Sequence, residues 1–347
     1  MRKTPNNLTI FVICICLTLL NSLHGSSPNV QAQRRGPKAC SVNIPLPATR
    51  APLPGEFRFA AIGDTGTGSD RQIRFASTMF RIWEQATRFD ALLFLGDNVY
   101  PSGNPAEFPQ KLYLPYKPFR DNNVEIRGVI GNHDARNGKG VEEQIRYFKN
   151  CKNDCNLDTY YKFPGKPESK NLVEFFALDS NLLASSSGRM GYTLNTRDGQ
   201  IKWLEEALAQ SGAVWKIVFL HHPLYSSAKG HGAKKVDENG NELEISRVLQ
   251  NLRLIDPLLN KYGVRVVLAG HDHLYERIEP RGQVFHFTSG AGAKLRKNDL
   301  NRKRLPGYHA CGVTTQLSFI LFSVQSDRLR YWSIGENGIP VDSGEVR

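Results

Sequence analysis

The sequence is poor in cysteine, with six residues in 347, and no two of them stand at zinc-ribbon spacing. A structural zinc site built on thiolates is therefore not expected. No dense run of lysine and arginine occurs, although the formal net charge is +12. That charge describes a basic surface that draws anions, and no specific nucleic-acid partner is expected. Internal repeats and low-complexity segments are absent, and no apolar run reaches the roughly 20 residues that a spanning helix needs. The sole Asn-x-Ser/Thr triplet is Asn7-Leu8-Thr9, so nothing further along the chain is an N-glycosylation acceptor.

What is present begins with a short basic start, Arg2 and Lys3, then an apolar run from Leu8 to Leu20, then small and polar residues as far as Ala32. This is the pattern of a signal peptide covering residues 1–32, and it predicts a secreted or periplasmic protein with no membrane attachment after cleavage. Loss of Arg2 and Lys3 takes the charge from +12 to +10. Cys14 and Cys16 leave as well, and Cys40, Cys151, Cys155 and Cys311 remain. An even count in an exported chain suggests disulfides; four cysteines allow three pairings, of which Cys151 with Cys155 is one candidate.

Residues 33–56 carry Pro37, Pro45, Pro47, Pro52 and Pro54, which opposes both helix and sheet and predicts a linker or extended arm. From Phe57 to Arg347 a single catalytic domain is expected. Its runs FRFAAIG, ALLFLG, VEIRGVIG, NLVEFFALD, WKIVFLH and VRVVLAG alternate with helical patterns near Arg71–Thr87, Gly199–Gln210 and Glu242–Tyr262. The alternation predicts an α/β layered fold with buried, largely parallel strands. Toward the end, VFHFTSG, TTQLSFILFSV, RLRYWSIG and PVDSGEV read as antiparallel strands joined by tight turns.

Five of the strand ends carry polar clusters: Gly63-Asp64-Thr65-Gly66, Gly96-Asp97-Asn98-Val99-Tyr100, Gly131-Asn132-His133-Asp134, His221-His222-Pro223 and Gly270-His271-Asp272-His273. A lone Gly-Asp is ordinarily a turn. Gly-Asn-His-Asp is a different matter, because a chosen tetrapeptide arises by chance in a chain this long on the order of once in a thousand. Ligands of open α/β sheets bind at the carboxyl ends of strands, so the clusters are expected to converge. Asp64, Asp97, Asn132, His221, His271 and His273 offer carboxylate, amide and imidazole donors without cysteine, a set that suits borderline or hard first-row ions. They are more than one ion needs, and two ions sharing a carboxylate are the usual device for displacement at phosphorus. At strand period His271 and His273 would share a face, whereas periodicity alone does not choose between His221 and His222.

In this order the five blocks resemble the calcineurin-like metallophosphoesterases and, within them, the purple acid phosphatases, over roughly Phe57 to Arg277. The resemblance implies a four-layer sandwich of two mixed β-sheets flanked by helices. It also implies a dinuclear centre, with Fe(III) held by Asp64, Asp97, Tyr100 and His273. A divalent iron, zinc or manganese would take Asn132, His221 and His271, and Asp97 would bridge the pair. The His-x-Pro pattern selects His221 over His222. Many relatives outside the purple group begin Asp-x-His where this chain has Gly66, and Tyr100 takes up that vacancy. Gly-His-Asp-His-Leu-Tyr-Glu-Arg (270–277) looks like the large plant-type version. With no extra sandwich domain ahead of Phe57, the chain resembles the small, tartrate-resistant, mammalian-type form, expected as a monomer.

Holding Tyr100 as phenolate at pH 7 takes about 4 kcal/mol, which a trivalent ion supplies more readily than a divalent one. The activity so implied is an acid phosphatase acting on small phosphorylated substrates: a metal-bound hydroxide attacks the phosphate monoester and His133 protonates the leaving alkoxide. Asp134 is expected either to orient His133 or to cap the turn. His231 corresponds to a His-Gly that implies a substrate-phosphate contact, while His286 and His309 are expected to be structural. The competing readings are a phosphodiesterase or nucleotidase with a divalent pair, and a non-catalytic, polyanion-binding envelope protein.

Overall fold

The computed structural model describes residues 39–136, 138–151, 155–166, 171–301 and 305–347. The expected signal segment, residues 1–32, lies outside the described residues. In chain order the strands are β1 (Phe57–Ile62), β2 (Ala91–Phe94), β3 (Glu125–Gly128), β4 (Tyr161–Pro164), β5 (Val173–Ala177), β6 (Trp215–Phe219), β7 (Lys235–Val236), β8 (Glu242–Glu244), β9 (Val264–Ala269), β10 (Tyr275–Arg281), β11 (Val284–Ser289), β12 (His309–Val313), β13 (Ser318–Val324), β14 (Leu329–Gly335) and β15 (Pro340–Val346). The α-helices are α1 (Asp70–Gln85), α2 (Leu114–Asp121), α3 (Val141–Lys149), α4 (Ser180–Ala184), α5 (Arg197–Gln210), α6 (Arg247–Leu252) and α7 (Asp256–Lys261).

Two mixed sheets result, as the resemblance implied. One runs β15-β14-β13-β1-β2-β3 and the other β12-β10-β11-β9-β6-β5-β4. In the first, β1, β2 and β3 are parallel and β13 to β15 form an antiparallel meander. In the second, β5, β6, β9 and β11 are parallel, with antiparallel strands toward the edges. VFHFTSG thus departs from the expected antiparallel group: as β11 it joins the second sheet, parallel to β9 and antiparallel to β10.

Period-two alternation builds the layers. Phe57, Phe59 and Ala61 of β1 enter the core between the sheets, while Ala60 and Ile62 pack outward with the apolar sides of α1 and α2. Phe59 stacks on Phe322, its partner in register on β13, at 4.6 Å, and meets Phe175 of the other sheet edge-on at 5.0 Å. The outer face of the second sheet is covered by residues of α5, α6 and α7, Leu204, Leu252 and Leu259 among them. Helix, sheet, sheet and helix therefore follow one another. At the site end, the Gly63 N–H donates to the Ser289 carbonyl at 2.7 Å and ties the first sheet to the second.

α1 and α5 start one and two residues before the expected positions, where Ser69 and Thr196 accept backbone N–H groups. The long helix expected over Glu242–Tyr262 does not exist as one element. Glu242–Glu244 pairs with β7, and the rest breaks into α6, a short 3-10 turn and α7. Pro257 explains the last break, because it cannot supply the N–H that a continuing helix needs and is accepted in the first turn of α7.

The proline-rich segment is an arm laid along the last strand. Val42 bridges Ser343 of β15, the Ser343 hydroxyl accepts the N–H groups of Asn43 and Ile44 at 2.8 Å each, and Trp332 Nε1 donates to Ile44 and Pro45. Cys40 is joined to Cys311 of β12, and Cys151 to Cys155 as the sequence suggested.

His286, on β11, is buried with neither ring nitrogen hydrogen-bonded among the described residues. Burial first, then the nearby Arg281 and Arg253, lower its pKa to about 3. The folded form therefore holds it neutral, and its contribution to stability is complete above the unfolded value of about 6.5 and is lost as pH falls toward 3. Between pH 6.5 and 5 the loss is about 2 kcal/mol. In urea titrations at pH 7 and pH 5, His286→Leu should lose about 2 kcal/mol less than the wild type on acidification; equal losses in the two proteins would remove His286 as a cause of acid sensitivity.

Candidate metal centre

The five clusters lie at the ends of β1, β2, β3, β6 and β9, and their side chains meet. Three of the residues, Asp64, Asp97 and His271, have left-handed backbone with φ of 58°, 54° and 70°, a conformation that non-glycine residues hold only when the surroundings impose it. His271 and His273 are placed by a bend after β9, not by strand alternation as expected.

Two groups of contacts stand side by side. In the first, the Tyr100 hydroxyl donates to Asp64 Oδ1 at 2.8 Å and lies 3.3 Å from His273 Nε2, which is itself 3.3 Å from Asp64 Oδ1. In the second, Asn132 Oδ1 lies 3.0 Å from His221 Nε2 and 3.1 Å from His271 Nδ1, and those two nitrogens are 3.2 Å apart. Asp97 Oδ1 is 3.4 Å from His221 Nε2, and ligand atoms of Asp64, Asp97 and His221 all fall within 4.8 Å of one another. All seven residues expected to hold metal are thus gathered in one place.

The donor set fits cations for a reason that needs no ion in view. His221 Nδ1 faces the Leu95 carbonyl at 2.8 Å, so Nδ1 is the protonated nitrogen and Nε2 of the neutral ring keeps its lone pair. That lone pair faces an amide oxygen, a carboxylate and a second imidazole. Lone pairs aimed at one another in a buried space are satisfied by a shared positive charge. His271 is kept neutral by a different cause, its pKa held well below the ordinary value by burial and the neighbouring histidines. For His221, burial works against protonation, but Asp97 and Asp64 outweigh it, so protons and metal compete for this nitrogen.

Tyr100 is buried, and burial followed by Asp64 and Asp97 pushes its pKa far above the ordinary value. With only these neighbours it is a neutral phenol, and a strong cation is the one agent that could ionise it. Lys294 Nζ sits 3.9 Å from the ring centroid, on a loop whose Ala293 N–H donates to the Asp64 carbonyl. The link between Gly66 and Tyr100 is also visible. A Cβ on Gly66 would come within 2.0 Å of the Asn98 carbonyl, and the Tyr100 N–H donates to the Gly66 carbonyl at 2.8 Å. The path that brings Tyr100 into the centre leaves no space for a side chain at residue 66.

Around these residues a further set fixes the loops. Asp134 does not orient the His133 ring; its carboxylate accepts the N–H groups of Gly131, Asn98 and Val99, which is the turn-capping alternative, extended to bind two site loops together. The His133 N–H donates to Asp97 Oδ1 at 2.9 Å, its Nδ1 faces the Pro101 carbonyl at 2.8 Å, and its ring packs 4.6 Å from Tyr100. His222, left open with His221 in the sequence, is bonded to Ser180 Oγ at 2.9 Å through Nδ1 and lies 4.3 Å from the His271 ring. Sequence reasoning missed Ser180 and Lys294, which lie outside the five clusters.

A profile of calcineurin-like phosphoesterases matches residues 57–275. The chain belongs to that family. As a calcineurin-like phosphoesterase it shares 28% identity over 283 residues with rat tartrate-resistant acid phosphatase type 5, covering 76% of this chain and 81% of the relative. It is 27% identical over 269 residues to Arabidopsis thaliana purple acid phosphatase 17, covering 71% of each. The fold resembles that of GAP50, "the anchor in the inner membrane complex of Plasmodium", with a TM-score of 0.64, 18% identity and coverage of 84% and 89%. It also resembles purple acid phosphatase PPD1 of yellow lupin, with a TM-score of 0.61, 16% identity and coverage of 87% and 55%.

Gly131 allows a close backbone approach at the centre: a Cβ there would lie 2.1 Å from the Asp97 nitrogen and 2.2 Å from Asp97 Oδ1. Gly131→Ala should displace the carboxylate placed between the two groups and lower metal retention at least tenfold, in the range seen when the supports of ligands are lost. Elemental analysis after dialysis checks this; wild-type metal content in the variant would contradict it.

Proposed function

We propose that this phosphoesterase is an exported acid phosphatase that hydrolyses phosphate monoesters with a dinuclear metal centre, Fe(III) beside a divalent iron, zinc or manganese. The observation that carries the reading is the pairing of Tyr100 with Asp64 and His273 in one group and of Asn132 with His221 and His271 in the other, with Asp97 reaching between them. Asp64, Asp97, Tyr100 and His273 would hold the trivalent ion, and Asn132, His221 and His271 the divalent one, Asp97 being shared. When bound, the pair supplies Lewis acidity toward phosphoryl oxygens and lowers the pKa of water. The names of the rat and Arabidopsis relatives support the same class of activity.

The chain's own residues supply the rest. As general acid the His133 ring would carry a proton on both nitrogens, Nδ1–H donating to the Pro101 carbonyl and Nε2–H passing to the departing alkoxide, and the hydrogen bond from its backbone N–H to Asp97 holds it beside the centre. His231, its ring 4.1 Å from His271, offers Nε2 to a phosphoryl oxygen. Two disulfides suit an oxidising compartment outside the cytosol. Among the described residues no helix is long and apolar enough to cross a membrane. The fold by itself does not decide for catalysis, since one structural neighbour is described as an anchor; the complete donor set supports the catalytic reading.

His133→Ala should lower kcat on alkyl phosphates about a hundredfold or more while changing kcat on an activated aryl phosphate less than about tenfold, because general acid catalysis contributes most where the leaving group is poor. Equal losses on both substrates would end the general-acid role. The wild-type enzyme assayed on phenyl and bis-phenyl phosphate separates a monoesterase from a phosphodiesterase, and faster turnover of the diester would favour the latter.

A further inference from the structure

The loop that carries His231 is held by two buried carboxylates, both from the segment that also carries His271 and His273. Asp272 is fully buried. One of its oxygens makes a close hydrogen bond with His231 Nδ1 and the other with the Ser226 hydroxyl. Ser226 Oγ in turn accepts the Ala228 N–H at 3.0 Å. Four residues on, Glu276, equally buried, accepts the Ser227 N–H at 3.0 Å through Oε2 and bonds His309 Nδ1 at 2.5 Å through Oε1. The His231 ring lies against His271 at 4.1 Å, and its side chain remains 34% exposed. It is therefore fixed at one edge and one face and open at the other edge.

A carboxylate withdrawn from water is retained only where it is fully hydrogen-bonded, and the partners of Asp272 are two groups of the same loop. We propose that Asp272, locked by Ser226, is the positioning residue of His231: it takes the Nδ1–H, sets the ring plane, and leaves Nε2 as the atom presented to a phosphoryl oxygen of the substrate. Glu276 serves the same loop through its backbone, and His309, expected to be merely structural, completes that anchor. The inference rests on the reading of His231 as a phosphate contact. It explains why an aspartate stands between two histidines of the centre while its carboxylate serves a loop some forty residues earlier in the chain.

The test is the inhibition constant of inorganic phosphate, with KM and kcat on phenyl phosphate, for the metal-loaded wild type, His231→Ala, Asp272→Ala, Asp272→Asn, Ser226→Ala and the corresponding doubles with His231→Ala. Asp272→Ala should raise KM and the phosphate constant about tenfold, the lower range for losing the support of a functional group, with kcat changed less than about threefold. Asp272→Asn, which keeps an oxygen for the Nδ1–H, should recover most of that loss. In the His231→Ala background neither Asp272→Ala nor Ser226→Ala should weaken phosphate further. If Asp272→Ala fails to fold or to keep its metal, Ser226→Ala, which leaves both carboxylates in place, carries the decision with an expected rise of about three- to fivefold. Equal losses with and without His231, or unchanged phosphate affinity in Asp272→Ala and Ser226→Ala while His231→Ala weakens it, would overturn the inference and leave the phosphate contact standing. Unchanged affinity in His231→Ala would remove that contact and the inference together.

Discussion

Polar ligand atoms from five strand ends face one another in a buried space, and their electrostatics govern the centre. His221 Nε2, His271 Nδ1, Asn132 Oδ1 and oxygens of Asp64 and Asp97 stand within a few ångströms of each other. The His221 Nε2 lone pair, the Asn132 amide oxygen and the two carboxylates do not attract one another, so a shared positive charge makes their assembly favourable. The backbone is bent to suit. Left-handed conformations at Asp64, Asp97 and His271 each cost about 1–3 kcal/mol, and the two sheets, joined through Gly63 and Ser289, hold them.

The same electrostatics separate the roles of the histidines. His221, whose Nδ1 meets the Leu95 carbonyl, keeps its Nε2 lone pair for the centre. His133 and His231 have Nδ1 engaged by a carbonyl and a carboxylate and are partly exposed, which is what the proposed contacts with a substrate would need. His286 has no hydrogen-bond partner among the described residues, packs against Tyr225, and is a core residue with a pH dependence of its own. Position relative to the acceptors, more than residue type, decides what each imidazole does.

Much of the centre was legible because strand ends are marked by glycine followed by polar donors, and because Gly66 and Tyr100 announce each other. The fold class was legible from the alternation of apolar runs and helical patterns. Other features were hidden for physical reasons. Pro257 breaks the helical pattern ahead of α7, and strands β4, β10 and β12, at or next to the edges of the second sheet, lack the apolar runs that mark central strands. Hydrogen bonds such as Asp134 to the Asn98 turn, or Ser180 to His222, join segments far apart in sequence, and no local spacing reports them. The leader pattern in residues 1–32 rests on the sequence, since it lies outside the described residues.

Tyr100 is the most exacting element of the account, because burial and two carboxylates oppose its ionisation and only a strongly polarising ion can reverse that. The most direct measurement is elemental analysis of the purified, oxidised protein together with its visible absorption spectrum, for the wild type and Tyr100→Phe. The expected result is about two metal ions per chain, at least one of them iron, with a visible charge-transfer band that Tyr100→Phe abolishes while the protein remains folded. A colourless, metal-loaded wild type, or a band unchanged in Tyr100→Phe, would contradict it and return Tyr100 to packing beside a divalent pair.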